Sequence, residues 1–357
     1  NAWAVLPNTL IRGDTYYVAD GNYPSWTFNT PQSGTTLITV KKASPINHGT
    51  DTGWLASYGD GQAVFATIIN VNRGYFVFDG QYRNENDWFD GNVYGFKIAN
   101  NGAWGPHMII SNGGTLMPNV TVKYLFIDAL IGVPTYEGAR IHGIDTETYS
   151  SVRNTGYVFS HMYIKGSSNP YYVRNTASPI IEYSAGSDTS GSGDGVDPGG
   201  IPEYHSLMVN LYYSDTPGSS AIVRYNHFKR HCTGLWSGGT GIIGLAWTQG
   251  AQIYGNIFDT YQSGDGAIAA GWENHNIKVH HNTFVNGASN TPTVHFPVSV
   301  GSGNEAYNNL VVNSRVDYNG VGTFSNNGVD TTSVFANYAA GDFKLARATN
   351  VAGRNLA

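Results

Sequence analysis

One short pattern recurs in the second half of the chain and limits the folds open to it. An apolar run, an asparagine and a second apolar run appear in VRYNHFKRH (223–231), IYGNIFDTY (253–261), VHHNTFVNG (279–287) and, more loosely, AYNNLVVNS (306–314). Aligned on Asn226, Asn256, Asn282 and Asn309, the copies are 30, 26 and 27 residues apart. Repeats of this length are typical of solenoids, in which each repeat packs only on its neighbours.

Each repeat is interpreted as three short strands separated by corners. In one copy, IKVHHN (277–282) alternates apolar and polar residues at period two, as a half-buried strand does, and TFVNG follows its corner Asn282. If successive coils stack about 4.8 Å apart, each corner asparagine lies over the next one. Its amide then bonds in both directions and satisfies corner peptide groups, which would cost roughly 1–3 kcal/mol each if buried unpaired. We therefore predict a structural ladder of asparagines.

The composition indicates an all-β protein. The 357 residues include 45 glycines and 24 tyrosines, and only 12% are charged. Glycine and asparagine accept the backbone angles of tight turns, and no run typical of a long helix is present. No segment approaches the roughly 18 apolar residues of a membrane-spanning helix. We therefore expect no membrane insertion.

Charge and cysteine content exclude several classes of function. The net charge is −6 and the 19 lysines and arginines are scattered, which argues against a nucleic-acid partner. A single cysteine, Cys232, excludes an internal disulfide and a cysteine-rich metal site. The chain opens at NAWAVLPN without a signal peptide, as a processed form would. With so few lysines and glutamates, we expect an extracellular or cell-surface location.

Strand-like runs continue through the first half, in TLITVKKAS, YFVFDGQY, VTVKYLFIDAL and GYVFSHMYIKG. With these runs, the chain resembles the right-handed parallel β-helices of the pectate-lyase-like superfamily. Its opening LIRGDTYYVADGNYPSWTF (10–28) resembles the first coil of secreted bacterial alginate-lyase-like and chondroitinase-B-like proteins. The resemblance implies one β-helix domain over residues 1–357, whose sheet edges need covering by segments expected outside this sequence. The superfamily includes lyases, hydrolases, tailspikes and non-catalytic surface proteins.

A 22-residue Gly/Ser/Asp-rich stretch, SAGSDTSGSGDGVDPGGIPEYH (184–205), interrupts the coils. Loops of this length inside a compact fold are usually functional or mobile. Its acidic residues Asp188, Asp194, Asp197 and Glu203 are candidate Ca²⁺ ligands, because this hard cation prefers several oxygen donors. Their spacing matches no EF-hand, and a flexible flap is the alternative interpretation.

The side chains beside this loop are the candidate active site. In PYYVRN (170–175), an inward Val173 would place Tyr172 and Arg174 outward. We predict catalytic roles for Arg174, Glu182, His205 and Lys229, and substrate-binding roles for Arg140, His142, Tyr172, Tyr204 and Trp272. Such a groove suits an acidic polysaccharide, since a cation neutralises the uronate carboxylate and a base removes the C5 proton. In the lyases that the chain resembles, Ca²⁺ and a Lys or Arg often do this, but no stretch here matches their motifs.

Several alternatives stay open on the sequence alone. Asp145 and Glu147 in HGIDTE are spaced for two acids on one face, as glycoside hydrolysis needs, but the polygalacturonase signatures are absent. Trp247 and Trp272, 25 residues apart, would form either a stacked ladder or a platform for sugar rings. The leading hypothesis is a polysaccharide lyase. The rival is a non-catalytic structural or adhesive β-helix, such as a self-associating filament subunit or a tailspike-like shaft.

Overall fold

The structure is a computed structural model that describes most of the chain. The described residues are 6–99, 107–111, 114–129, 142–146, 153–189, 193–196, 202–204, 207–212, 220–231, 241–261, 266–271, 273–289, 291–296, 301–347 and 349. For 193–196, 202–204 and 319 only the backbone is described.

The chain winds as a right-handed parallel β-helix, as the sequence predicts. Its described strands form sheets A and B, with 11 strands each, and sheet C, with ten. Sheet A comprises Thr15–Val18, Ile38–Lys42, Phe76–Asp79, Val120–Lys123, Val158–Ser160, Ile180–Glu182, Ile222–Arg224, Gln252–Tyr254, Lys278–His280, Glu305–Tyr307 and Thr323–Ser325. Sheet B comprises Gly21–Tyr23, Ala63–Phe65, Phe96–Ile98, Leu125–Asp128, Tyr163–Lys165, Ala185–Thr189, His227–His231, Ile257–Tyr261, Thr283–Gly287, Leu310–Val312 and Gly328–Asp330. Sheet C comprises Trp26–Phe28, Ile69–Val71, Met108–Ile110, His142–Asp145, Asn169–Arg174, Val209–Tyr212, Ile243–Ala246, Ile268–Ala270, Val294–Phe296 and Tyr318–Gly320.

Short elements complete the described chain. Asn154–Thr155 pairs in parallel with Thr176–Ala177, and two antiparallel pairs join Gly193–Val196 to Pro202–Tyr204 and Phe335–Asn337 to Asp342–Leu345. The 3₁₀ turns are Ala56–Tyr58, Gly91–Val93, Thr332–Val334 and Tyr338–Ala340. Nowhere in the described chain is there a helix that is both long enough and apolar enough to cross a bilayer.

The core fills the space between the three sheets. Strand residues alternate between buried and partly exposed, as in Ile38–Lys42 and Ile69–Val71, so each strand sends every second side chain inward. Aromatic rings from different sheets stack in this core, with centroids 4.2 Å apart for Phe28 of sheet C and Phe76 of sheet A, and 4.1 Å apart for Phe78 of sheet A and Phe96 of sheet B. Burying a phenylalanine side chain contributes about 1.5–3 kcal/mol, so this column stabilises the N-terminal coils.

The predicted asparagine ladder is confirmed at the corner between sheets A and B. The Nδ2 of Asn226 donates to Oδ1 of Asn256 at 2.9 Å, and the series continues through Asn282, Asn309 and Asn327 at 2.9–3.0 Å. Each Oδ1 also accepts from the backbone N–H of the previous asparagine, at 3.0–3.1 Å. Each Nδ2 in addition donates to a backbone carbonyl, such as that of Ile253 for Asn282. The ladder thus gives hydrogen-bond partners to the backbone and side-chain amides buried at this corner.

The corner between a sheet A strand and the next sheet B strand is turned by a residue in the left-handed region, also in coils that carry no ladder asparagine. Tyr124, His161, Tyr183, Tyr225 and His281 have φ between 48° and 55°. This conformation is uncommon for bulky residues, and the fold imposes it at successive corners, so the side chains form an outward row. We call these positions the corner row.

Buried histidines make the fold sensitive to acid. His231 is buried and its Nδ1 is 2.7 Å from Oγ1 of Thr189, and burial lowers its pKa to about 3. The unfolded chain takes up this proton below about pH 6.5 and the folded chain does not. Stability is therefore full above that pH and declines as the pH falls towards about 3.

We expect the denaturant concentration at the unfolding midpoint to decrease when the pH is lowered from about 7 to about 4. In His231→Gln, which keeps a hydrogen-bonding side chain without the titration, the fall should be smaller. An identical pH profile for both proteins in denaturant titrations would contradict the assignment.

Candidate active site

The connections beside the middle of sheet C are the longest between its strands and those of sheet B. They run between Asp128 and His142, between Thr189 and Val209, and between His231 and Ile243. Much of each lies outside the described residues. Because long connections on a rigid scaffold are where binding and catalytic residues concentrate, the strands they flank are the place to search for a site.

A histidine–carboxylate pair stands on the first of these strands. Nδ1 of His142 is 2.7 Å from Oδ2 of Asp145, and the two residues are 1% and 7% exposed. In a regular strand, residues three apart face opposite sides, so this contact requires a local distortion. Gly143 permits it, since a Cβ there would lie 2.6 Å from both Cγ2 of Ile164 and the carbonyl oxygen of Pro170.

The carboxylate of Asp145 fixes the orientation of the His142 ring. Bonding to Asp145 favours the tautomer that carries its proton on Nδ1, which leaves a lone pair on Nε2. This Nε2 is buried and has no hydrogen-bond partner among the described residues. A base oriented by a carboxylate in this way is the arrangement used for proton abstraction in many enzymes.

A cation and two tyrosines lie beside this pair. The Tyr172 ring stacks on that of His142, with centroids 4.0 Å apart at 24°. The guanidinium carbon of Arg174 is 4.2 Å from the Tyr172 ring centroid and 4.5 Å from that of Tyr212, its cross-strand partner. Thr146 Oγ1 holds the Arg174 backbone by accepting from its N–H at 2.9 Å. The guanidinium is therefore fixed on the outer face of sheet C.

Tyr212 extends this aromatic row to the next coil. Its ring meets that of Trp247 edge-on, with centroids 4.8 Å apart. Burial raises the pKa of its phenol, an effect that Arg174 opposes only in part. The phenol therefore stays protonated at neutral pH. Together these contacts place an imidazole, a guanidinium and a phenol on one face of sheet C.

Three of the predicted site residues are thus brought together. Arg174, His142 and Tyr172 share the outer face of sheet C. The alternation around the buried Val173 predicts this for Tyr172 and Arg174, and His142 comes from the neighbouring coil. Tyr172 itself is almost fully buried between its neighbours rather than exposed.

Glu182 and Lys229 lie elsewhere. Glu182 ends a strand of sheet A, where its Oε2 accepts from Nε of Arg224 at 2.8 Å. Lys229 is on sheet B, with its ammonium 3.3 Å from the ring centroid of Phe89. The three sheets face outward in different directions, so the expected grouping of Glu182 with Arg174 is not formed. Catalytic roles for these two residues stay predictions.

The other predicted residues lie outside the described part of the chain or are described by their backbone alone. Arg140, His205, Trp272 and Asp197 lie outside the described residues. The choice between ladder and platform for Trp247 and Trp272 is therefore still open. Tyr204, Asp194 and Glu203 are described by backbone alone, on the antiparallel pair of 193–196 with 202–204, where Glu203 is opposite Gly195.

Asp188 is engaged by a cation of the chain itself. Its two carboxylate oxygens accept from Nε and Nη2 of Arg230, at 2.5 and 2.8 Å. Burial alone would raise the pKa of Asp188, but bonds from Arg230 and Ser187 outweigh it and hold the pKa below its ordinary value. Within the described residues no group of three His, Cys, Asp or Glu side chains is placed to hold a metal ion. Asp188 is thus paired with Arg230, and Ca²⁺ at Asp188, Asp194, Asp197 and Glu203 stays a prediction.

Comparison with known proteins gives information about the fold. No protein-family model and no curated protein matches the sequence. The chain is similar to the PL6 family polysaccharide lyase from Pseudopedobacter saltans, with a TM-score of 0.55 and 13% identity over 85% of this chain and 60% of that one. It also matches the GH136 lacto-N-biosidase from Eubacterium ramulus, with a TM-score of 0.46 and 11% identity over 87% and 51% of the two chains. The chain spans about 60% of the lyase's length. At this identity the likeness to the lyase shows a shared parallel β-helix.

Proposed function

We propose that the protein is an extracellular or cell-surface lyase that cleaves a uronate-containing polysaccharide by β-elimination on the outer face of sheet C. The observation that carries the proposal is the His142–Asp145 pair in contact with Tyr172, which also contacts Arg174. β-Elimination needs a base for the C5 proton and a positive charge for the adjacent carboxylate. The β-helix shared with a polysaccharide lyase supports the proposal at the level of fold.

In the proposed reaction, Arg174 pairs with the uronate carboxylate and so acidifies the C5 proton. His142 Nε2 takes this proton, the electron pair forms the C4–C5 double bond, and the C4–O bond to the leaving sugar breaks. Asp145 stabilises the resulting imidazolium. The leaving oxygen takes a proton from the phenol of Tyr212. Proton exchange with solvent then deprotonates His142 and reprotonates Tyr212.

Substrate access is a condition of this mechanism. Since Nε2 of His142 is buried, binding must displace a covering side chain. Among the described residues Tyr172 is the candidate, because its ring lies against the imidazole. A sugar ring that replaces the tyrosine would occupy the space between base and cation.

The test is to incubate the protein with alginate, polygalacturonate and dermatan sulfate. We expect ultraviolet absorbance from the unsaturated product, which β-elimination creates and hydrolysis does not. Arg174→Met should lower kcat/KM about 10²–10³-fold, the usual effect of losing one charge-stabilising donor. Arg315→Met is the matched control, since Arg315 is largely exposed and paired with Asp317.

Two results would overturn the proposal. Cleavage without an unsaturated product would indicate a hydrolase. No cleavage of any acidic polymer, together with filaments in electron micrographs, would favour the structural or adhesive alternative.

A further inference from the structure

A second groove, with a volume of about 1170 Å³, lies at the corner between sheets A and B. It is lined by the side chains Tyr183, Tyr225, Tyr254, His280 and His281, by residues 85–89 on one side and by residues 340–344 on the other. We call it the corner groove. Of the described residues that line it, none belongs to sheet C. The corner groove is therefore separate from the proposed active site.

Both walls of the corner groove are held by specific contacts. Arg83 donates to the carbonyl oxygen of Tyr183, pairs with Glu85 at 2.9 Å, and lies 4.0 Å from the Trp88 ring centroid. Across the groove, the antiparallel strands 335–337 and 342–345 pack on outward apolar side chains of sheet B, such as Val285 and Val312. A groove with walls fixed in this way is preformed, so a ligand would not have to order it.

The corner row is interrupted inside this groove. Rings stack from His161 to Tyr183 and from Tyr183 to Tyr225, with centroids 5.2 Å apart in both pairs. The next corner position is Gly255, where a Cβ would come 2.6 Å from the Tyr225 ring. Tyr225 is 39% exposed and meets Tyr254 only edge-on. The stack of rings thus ends at Tyr225, which the Gly255 backbone approaches closely and whose remaining exposed surface faces the groove.

The polar lining is acidic rather than basic. The charged residues lining the groove are Glu85, Asp87, Asp259, Asp342, Lys229 and Lys344. The ammonium of Lys229 is already placed over the Phe89 ring, at 3.3 Å. His227 adds no charge near neutral pH, because burial lowers its pKa to about 3. Carboxylates in excess repel an acidic glycan but accept hydrogen bonds from hydroxyl groups.

We propose that the corner groove binds an uncharged saccharide, with a sugar ring packed on Tyr225 and its hydroxyls donating to carboxylates such as Asp259. The weakly positive C–H face of a sugar ring matches the negative face of an aromatic ring. His227 supports the polar part of the site, since its Nε2 is buried without a hydrogen-bond partner among the described residues. The groove would hold a neutral glycan while the reaction proceeds on sheet C.

Affinity electrophoresis of the full chain in gels that contain galactomannan, xyloglucan or soluble starch tests this proposal. We expect at least one of these neutral polymers to retard the protein, and Tyr225→Ala to weaken the interaction about tenfold, the loss of roughly one stacking contact. Tyr124→Ala is the matched control, because Tyr124 has the same left-handed backbone, with φ of 55°, but does not line the groove. His142→Gln should bind like the wild type, which separates this site from the proposed lyase reaction.

The absence of retardation by all three neutral polymers would overturn the proposal. An equal loss in Tyr124→Ala and Tyr225→Ala would also overturn it, since both would then act through the fold. Retardation by alginate that Tyr225→Ala abolishes would show that the groove takes an acidic glycan instead.

Discussion

His142→Gln is expected to lower the rate of unsaturated product formation by about 10²–10⁴-fold, the usual contribution of a positioned general base. Glutamine retains hydrogen-bonding capacity near Asp145 but has no lone pair basic enough to take the C5 proton. The loss should appear in kcat, because the step removed is the proton transfer and not the pairing of the carboxylate with Arg174.

Asp145→Asn leaves the proposed base His142 in place and tests how much its orientation by Asp145 contributes to the rate. The carboxylate accepts from Nδ1 at 2.7 Å, and an amide in its place can donate there and favour the wrong tautomer of His142. We expect a loss in kcat with an unchanged circular dichroism spectrum. A double variant should lose little more than His142→Gln alone, since the two residues act as a unit.

The control for these variants is His48→Gln. His48 stacks on Trp54 in an N-terminal loop, far along the chain from sheet C's candidate strands. It should retain full activity. If His142→Gln retains it as well, the assignment of the base is wrong, even if the protein is a lyase.

Asn282→Leu is expected to destabilise the fold by about 2–5 kcal/mol, because it removes one rung of the ladder. The amide of Asn282 donates to Ile253 O and Asn309 Oδ1 and accepts from the N–H and Nδ2 of Asn256. Leucine has a similar volume, so cavity formation is small and the cost is that of buried groups left unpaired. A lower denaturant midpoint with an unchanged spectrum at low denaturant is the expected result.

Asn22→Ala is the matched control for the ladder variant. Asn22 is an exposed asparagine in the sheet B strand Gly21–Tyr23, and a surface change of this kind usually lies within about 0.5 kcal/mol. Asn282→Glu should resemble Asn282→Leu, since it brings a charge to a buried corner. A midpoint for Asn282→Leu equal to that of Asn22→Ala would contradict a structural role for the ladder.

Much of the fold follows from the sequence because its determinants are local and repeated. Period-two alternation in segments such as 277–282 fixes which side chains face the core, and the ladder asparagines fix where the chain turns. Each coil then packs on an almost identical neighbour, so one well-interpreted repeat predicts the next. The outward positions of Arg174 and Tyr172 follow from the same alternation around Val173.

The candidate site was only partly predictable, and Asp145 and Tyr212 show why. Asp145 is three residues from His142, an odd spacing that alternation assigns to the opposite face, and only the distortion at Gly143 brings the two together. Tyr212 is 38 positions beyond Arg174 and meets it through cross-strand register. The sequence does contain a clue, because Tyr212 begins a Tyr-Tyr pair that resembles the Tyr-Tyr pair before Arg174. The long connection between the two strands, however, prevents their register from being predicted from the sequence.

The sequence by itself determined the coil, its corners and the inward face of each strand, since these depend on residues close together in the chain. Only the tertiary structure decided which outward side chains share a face. Outward residues carry no periodic pattern of their own, and connections of unequal length set their register across coils. That is why Glu182 and Lys229 lie on other sheets than Arg174, while Tyr212 contacts Arg174 directly and the His142–Asp145 pair is linked to it through Tyr172.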